Sequence, residues 1–245
     1  MSNKFVSQTQ YGKNESFDLQ VARGQIPGHE SVNVFGFANA VSTTFVAVWE
    51  NNAAYVFPTV ASTMLLSSSS ASDTAVTIQI DGLDSGYRRI TELVTVTGTA
   101  GVSTVNTFWR INSMLTTAGV AVGTIYAKNA GGTTYAQIAI GNGRTNMSVY
   151  TVPADHTFYL SQTDAFSSTS ITSGVFSTYR TLVVSDTGIS NIVFAAPFLN
   201  NLEITRPFPA VFPAKVDIQF QCKSSGAGLN IGTLAIGVLI KNFSD

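Results

Sequence analysis

The stretch VTIQIDGLDSGYRRITELVTVTG (Val76–Gly98) decides the fold class. Val76, Ile78 and Ile80 alternate with Thr77 and Gln79, the period-two pattern of a strand with one buried face. A Gly- and Asp-rich loop, Asp81–Tyr87, interrupts it, and the chain resumes as ITELVTVT (Ile90–Thr97). Two such runs around a Gly/Asp loop read as an antiparallel hairpin with a loop longer than a tight two-residue turn. A one-residue slip would turn Val76, Ile78 and Ile80 to solvent, so the register is expected to be strongly specified.

The same grammar extends in both directions. Upstream, Val32, Val34 and Phe35 begin a strand expected to stop at Gly36, TTFVAVW (Thr43–Trp49) is β-rich, and Tyr55–Phe57 ends at Pro58. Downstream, strands are expected over Thr104–Met114, Gly123–Lys128, Thr133–Ile140, Met147–Val152, Thr157–Ser161, Val175–Val184, Asn191–Ala195, Leu202–Thr205, Val216–Cys222 and Leu229–Ile240. In Val216–Cys222 the apolar phase is Val216, Ile218, Phe220 and Cys222, so the thiol is expected inside. No ten-residue helical pattern occurs, and helix formers are scarce beside Thr and Val. Many short strands broken by Gly, Pro, Asn, Asp and Ser predict an all-β fold, a β-sandwich of jelly-roll type. The length of 245 residues admits one large sandwich or two small ones, with a division near residues 120–130 if there are two.

Residues 1–30 read differently. They are mostly polar, with apolar points at Phe5, Val6, Tyr11, Phe17 and Leu19, and are punctuated by Gly24, Pro27 and Gly28. One reading is an extended arm whose apolar points anchor on a neighbouring subunit; the other is an edge strand after a loose start. SSSSAS (Ser67–Ser72) and SSTSITS (Ser167–Ser173) read as exposed flexible connections. In RPFPAVFP (Arg206–Pro213) the prolines exclude a central strand, and Phe208 and Phe212 are candidate anchors to the body or to a partner.

Composition bounds the function. Only 11% of residues are charged, against about 25% in an ordinary globular protein. Hydroxyls and amides replace the ions and are cheaper to desolvate, which favours a chain packed against neighbours, as in a homo-oligomer. A net charge of −1 offers no basic excess for nucleic acid. No apolar run is long enough to span a bilayer, and the polar start of the sequence lacks a secretory h-region. The lone Cys222 excludes an intrachain disulfide framework and fits synthesis in a reducing cytoplasm.

Catalytic chemistry has little to stand on. His29 and His156 sit in turn-like settings, PGHE and PADHT. No zinc-protease, thiol-pair or nucleophile-elbow motif occurs, and Gly141-Asn142-Gly143 lacks the Lys-Ser/Thr of a phosphate loop. Asp81 and Asp84 offer two carboxylates where Ca²⁺ wants six or more oxygens. Glu50 and Glu92 have the residue types of a glycosidase pair, but nothing in sequence brings them together. Sugar stacking on Trp49 or Trp109 stays open. No enzyme activity, cofactor or metal is expected.

Leu19–Glu50 (LQVARGQIPGHESVNVFGFANAVSTTFVAVWE), Tyr55–Asp73, Val76–Gly98, NTFWRINSM (Asn106–Met114), YTVPADHTFYL (Tyr150–Leu160) and PAKVDIQFQC (Pro213–Cys222) resemble structural proteins encoded by marine bacteriophages, those of cyanobacteria included. The resembling proteins often read YTVPAG where Asp155 stands here, a change within one turn. The resemblance implies a virion component made in the cytoplasm of a bacterial host, and carries no catalytic residues over. Within that class the size, low charge and arm favour a head decoration or cement protein bound to the major capsid protein. A tail or baseplate part contacting tail proteins, with a possible host-receptor role, comes second. A carbohydrate-binding β-module comes third.

Overall fold

The computed structural model describes residues 15–167, 175–226 and 228–242. In chain order these form α1 (Phe17–Ala22), β1 (His29–Val41), β2 (Val46–Ala47), β3 (Leu65–Ser68), β4 (Thr77–Leu83), β5 (Arg89–Thr95), β6 (Val102–Ser103), β7 (Arg110–Ala118), β8 (Ile125–Lys128), β9 (Thr134–Ile138), β10 (Val149–Thr151), β11 (His156–Ser167), β12 (Ser177–Val184), β13 (Ser190–Phe198), β14 (Asn201–Phe212), β15 (Asp217–Ser224) and β16 (Leu229–Lys241). The fold is all-β, as the period-two runs require. The hairpin at its origin holds the expected phase: Thr77 lies opposite Thr95 and Leu83 opposite Arg89, with Ile78 and Ile80 fully buried. Its turn is tighter than the Asp81–Tyr87 loop expected, because Asp84 Oδ1 accepts from the amides of Gly86 and Arg88 and closes the chain on itself.

Two sheets, β1-β16-β11-β14 and β10-β15-β12-β13, with β2 also on β15, enclose the first core. This strand order is that of an eight-stranded jelly roll, two interleaved Greek keys. Tyr179, Phe158 and Phe220 fill its centre. A second core, around Met64, Ile78, Ile80, Phe108 and Met114, lies between the sheets β6-β3-β8-β9 and β5-β4-β7.

The second core interrupts one strand of the first. On β15, β2 pairs Ala47 with Gln221 while β10 pairs Val149 with Gln219, so β2 and β10 are collinear halves of a single strand. The chain leaves after Val48, builds the second unit over residues 49–147, and returns at Ser148, whose amide donates to Val48 O at 2.9 Å. Along this split strand the side chains alternate between the two cores. Val48 and Tyr150 enter the first, and Ala47, Trp49 and Val149 the second. The division expected near residues 120–130 does not fall there, since β8 at Ile125–Lys128 is an inner strand of the second unit.

The same junction explains why β15 is buried on both faces. Val216, Ile218, Phe220 and Cys222 enter the first core as expected, but Asp217, Gln219 and Gln221 are buried too, beneath the inserted unit. Asp217 receives Arg110 Nε and Nη2 at 2.8 and 2.7 Å and Thr151 Oγ1 at 2.6 Å. Burial pushes the Cys222 thiol up, far from thiolate formation at neutral pH. Cys222 is therefore expected not to react with a thiol reagent until the protein is unfolded. Labelling of the native protein at the rate of free cysteine would contradict its placement.

Three further expectations are corrected. β1 does not stop at Gly36 but continues along β16 to Val41. Ser67–Ser72 is no loose linker: Ser68 is buried, its hydroxyl donates to Asp73 Oδ2 at 2.5 Å, and Ser69 Oγ accepts from Thr124 N. Burial alone would raise the Asp73 carboxyl, but bonds from Ser68 and from the amides of Val122 and Gly123 outweigh it and hold the group below the usual carboxylate range. Within the expected extended arm, Phe17–Ala22 is helical, capped by Ser16, with Val21 buried and α1 packed on β1. Ser168–Ser173 lies outside the described residues.

Candidate subunit-contact surface

A sandwich has two lateral sides where its sheets end, and here they are treated differently. On one side, the inserted unit caps the split strand β2/β10 and is tied to β1 across a groove. The Asn112 side chain on β7 donates to Thr151 O at 3.0 Å and accepts from Thr151 N at 2.9 Å, closing the free edge of β10. Glu30 on β1 accepts Arg89 of the inserted unit at 2.8 Å. A polar groove between them is lined by Glu30, Asn33, Asp81, Asn112 and Arg144.

The opposite side is open. There β13 ends one sheet and β14 ends the other, and each pairs with one strand among the described residues. From Thr187 to Phe212 the charged residues are Glu203 and Arg206, while Ile192, Val193, Leu199 and Phe208 are more than half exposed. Open strand edges of this kind template further pairing unless blunted or covered. β14 is blunted: Leu160 pairs with Ala210 but Gln162 pairs with Thr205, so Arg206–Pro209 bulges out with its two prolines. That bulge presents Phe208, which is 90% exposed. Arg206 turns inward instead, donating to Thr163 Oγ1 at 2.9 Å over the Phe194 ring, and burial holds its pKa below the usual value. β13 is blunted less: Thr181 pairs with Phe194 but Leu182 with Ile192, so Val193 is a single extra residue in Ser190–Ala196, a run without charge or proline.

The anchors read from sequence separate accordingly. Phe5, Val6 and Tyr11 lie outside the described residues. Phe17 and Leu19 are half exposed on α1, beside β1, with the Phe17 ring edge-on to His29 at 5.9 Å. Phe208 is on the open side, while Phe212 is core, stacked on Phe158 at 6.0 Å. Sequence reading missed Ile189, Ile192, Val193 and Leu199. Asn191–Ala195 was legible as a strand, but local alternation does not announce that β13 has β12 beside it and ends the sheet.

The chemistry-bearing residues are occupied in holding loops. Glu50 accepts from Ala139 N and from the Asn142 and Asn146 side chains, and burial raises its pKa despite those bonds. Glu92 accepts from Val105 N and from Asn106, sharing no partner with Glu50. Asp81 receives Gln79 and Thr91, apart from the turn made by Asp84. His156 is buried and bonded at 2.7 Å to Asp155; burial would raise that carboxyl, but His156 outweighs it and the pKa falls. Trp49 is buried, its indole donating to Ala53 O at 2.7 Å, and Trp109 stacks against Arg110. Among the described residues no group of three or more His, Cys, Asp or Glu is placed to hold a metal ion, and no helix is long and apolar enough to cross a membrane.

No protein-family model matches the chain, and no curated protein matches it. Among solved structures it is similar to a mutant VP2 protein of infectious bursal disease virus in derived T=1 particles, with a TM-score of 0.24 and 15% identity over 88% of this chain and 72% of that one. It is also similar to the structure of the Gt strain of that virus, with a TM-score of 0.23 and 11% identity over 93% of this chain and 78% of that one. Scores this low assign neither fold nor role to this chain.

Proposed function

We propose that this protein is a non-enzymatic structural subunit of a bacteriophage virion, in first place a decoration or cement protein on the outside of the head shell. The observation that carries the reading is the asymmetry of its two lateral sides. On one the inserted unit caps the β10 edge and bonds to β1; the other leaves two sheet edges and the protruding Phe208 without cover among the described residues. A side this poor in charge costs little to desolvate and belongs against another protein. The sequence resemblance to phage structural proteins supports the class of particle.

Quantifying the chain against the major capsid protein in purified particles tests this directly. Decoration gives copies on the order of the capsid subunits; a few dozen or fewer move the chain to the tail or baseplate, and absence from particles overturns the virion reading. Binding to the particle is expected to weaken roughly 30-fold or more in Phe208→Ala, the effect of losing an interface hot spot of about 2 kcal/mol. The variant should melt with the wild type, because this side chain makes no core contact. Undiminished occupancy at limiting concentration would remove the open side from the interface.

A further inference from the structure

We infer that the free edge of β13 accepts residues 1–14 of a neighbouring copy of this chain as an added strand, an inference that rests on the subunit reading above and names the first partner of that surface. Ser190–Ala196 is the stretch of open edge that lacks both charge and proline, and Ser190–Val193 is exposed at every position. A one-residue bulge at Val193 divides the run, but neither flank holds a charge or a proline to repel an extended chain, so a protein kept in a defined assembly needs a defined strand there. Main-chain bonds would supply affinity, and alternate side chains the choice of partner.

The chain itself offers one. Residues 1–14 place Phe5, Ser7, Thr9 and Tyr11 on one phase of an extended strand and Val6, Gln8 and Gln10 on the other. They carry Lys4 and Lys13 and no carboxylate. The open side exposes Asp186 just before β13 and Glu203 just after it, and neither enters a salt bridge among the described residues. Charge therefore complements at both ends of an uncharged pairing stretch.

The root of the segment points to a second copy. Residue 15 precedes α1, which is fixed to β1 through Val21, and β1 ends its sheet at the opposite edge from β14. Fourteen extended residues reach at most about 46–50 Å. Docking on the same body would use about half of that in crossing three strand spacings of roughly 4.8 Å and the gap of roughly 10 Å between sheets. Placing the β1 side of one copy beside the β13 side of the next leaves the whole segment free to pair. The contact is then heterologous, head to tail, the type that forms rings where the rotation closes and open chains where it does not.

The test uses full-length chains, since the native Cys222 is buried and silent. Gln8→Cys and Ile192→Cys variants are prepared separately, mixed, assembled and oxidised, so that any disulfide between the new cysteines joins two copies. A two-chain product is expected for this pair and none for Gln8→Cys with Leu93→Cys, an exposed position on the inserted unit. Deleting residues 1–14, or substituting Ile192→Lys, is expected to weaken self-association at least tenfold in sedimentation with the melting curve unchanged. If the Gln8→Cys/Ile192→Cys double variant gives a single-chain loop product instead, or no disulfide forms while self-association survives the deletion, the inference is overturned. Either result leaves virion membership untouched, because copy number in particles is read independently.

Discussion

Replacing Arg110 by Met is expected to destabilise the protein by about 3–5 kcal/mol, the range for stranding one partner of a buried ion pair. The two side chains are 7% and 5% exposed and meet through two parallel bonds of 2.8 and 2.7 Å. Arg110 further donates to the carbonyls of Pro58 and Trp109, and its guanidinium lies over the rings of Trp109 and Phe57 at 4.7 and 5.0 Å. Without it Asp217 keeps one described donor, Thr151, for a carboxylate held under the inserted unit. The pair also joins the two cores, since Arg110 opens β7 and Asp217 opens β15. The loss should therefore divide one unfolding transition into two, seen by calorimetry, with the inserted unit melting apart from the jelly roll. The double variant Arg110→Met/Asp217→Leu should recover much of the loss, because replacing both charges removes the desolvation penalty along with the attraction. If the double variant is as unstable as the single one, the cost lies in the stacking on Trp109 and Phe57 rather than in the stranded charge.

That junction also marks where sequence reading ran out. The period-two runs located nearly every long strand, and Val76–Ile80 and Val216–Cys222 carried the correct phase into the structure. Local alternation reports one buried face; it reports nothing about a second body resting on the other. Asp217, Gln219 and Gln221 therefore read as solvent-facing although they are buried. Thr43–Trp49 and Met147–Val152 both read as strands, but that Val46–Ala47 and Val149–Thr151 are halves of one strand is invisible, because the two lie about a hundred residues apart and meet only on their common partner β15. The serine run failed for a different reason. Ser68 and Ser69 read as linker by composition, yet their hydroxyls bond Asp73 and Thr124 N and replace the apolar contacts that a loop normally lacks. On the candidate surface, Phe208 was legible because prolines on either side force it out of the ladder, whereas the exposure of Ile192 and Val193 depends on β13 being last in its sheet.

Gly36→Ala is expected to destabilise by more than about 3 kcal/mol, beyond the usual 1–3 kcal/mol of overpacking. A Cβ at Gly36 would stand 2.1 Å from Val48 O, 2.6 Å from Ser148 Cβ and 2.7 Å from Ser148 N. Two of these are backbone atoms, and they are fixed: Val48 N donates to Phe220 O at 3.1 Å and Phe220 N donates to Ser148 O at 3.0 Å. No rotamer change relieves the clash, so relief needs β1 to move off the split strand at the point where the chain leaves the first core and re-enters it. Glycine in the middle of a 13-residue strand is otherwise a liability, and alanine at an unhindered position would stabilise by roughly 0.4–1 kcal/mol. The sign of the effect thus separates close approach from tolerance. Gly143→Ala, where nothing lies within 4 Å of the added carbon, serves as the control and should stay within about 0.5 kcal/mol of wild type. Urea denaturation of the two variants side by side decides the matter: if Gly36→Ala unfolds at the wild-type midpoint, β1 does not press on Val48 and Ser148, and the two halves of that strand are not held together in the way described.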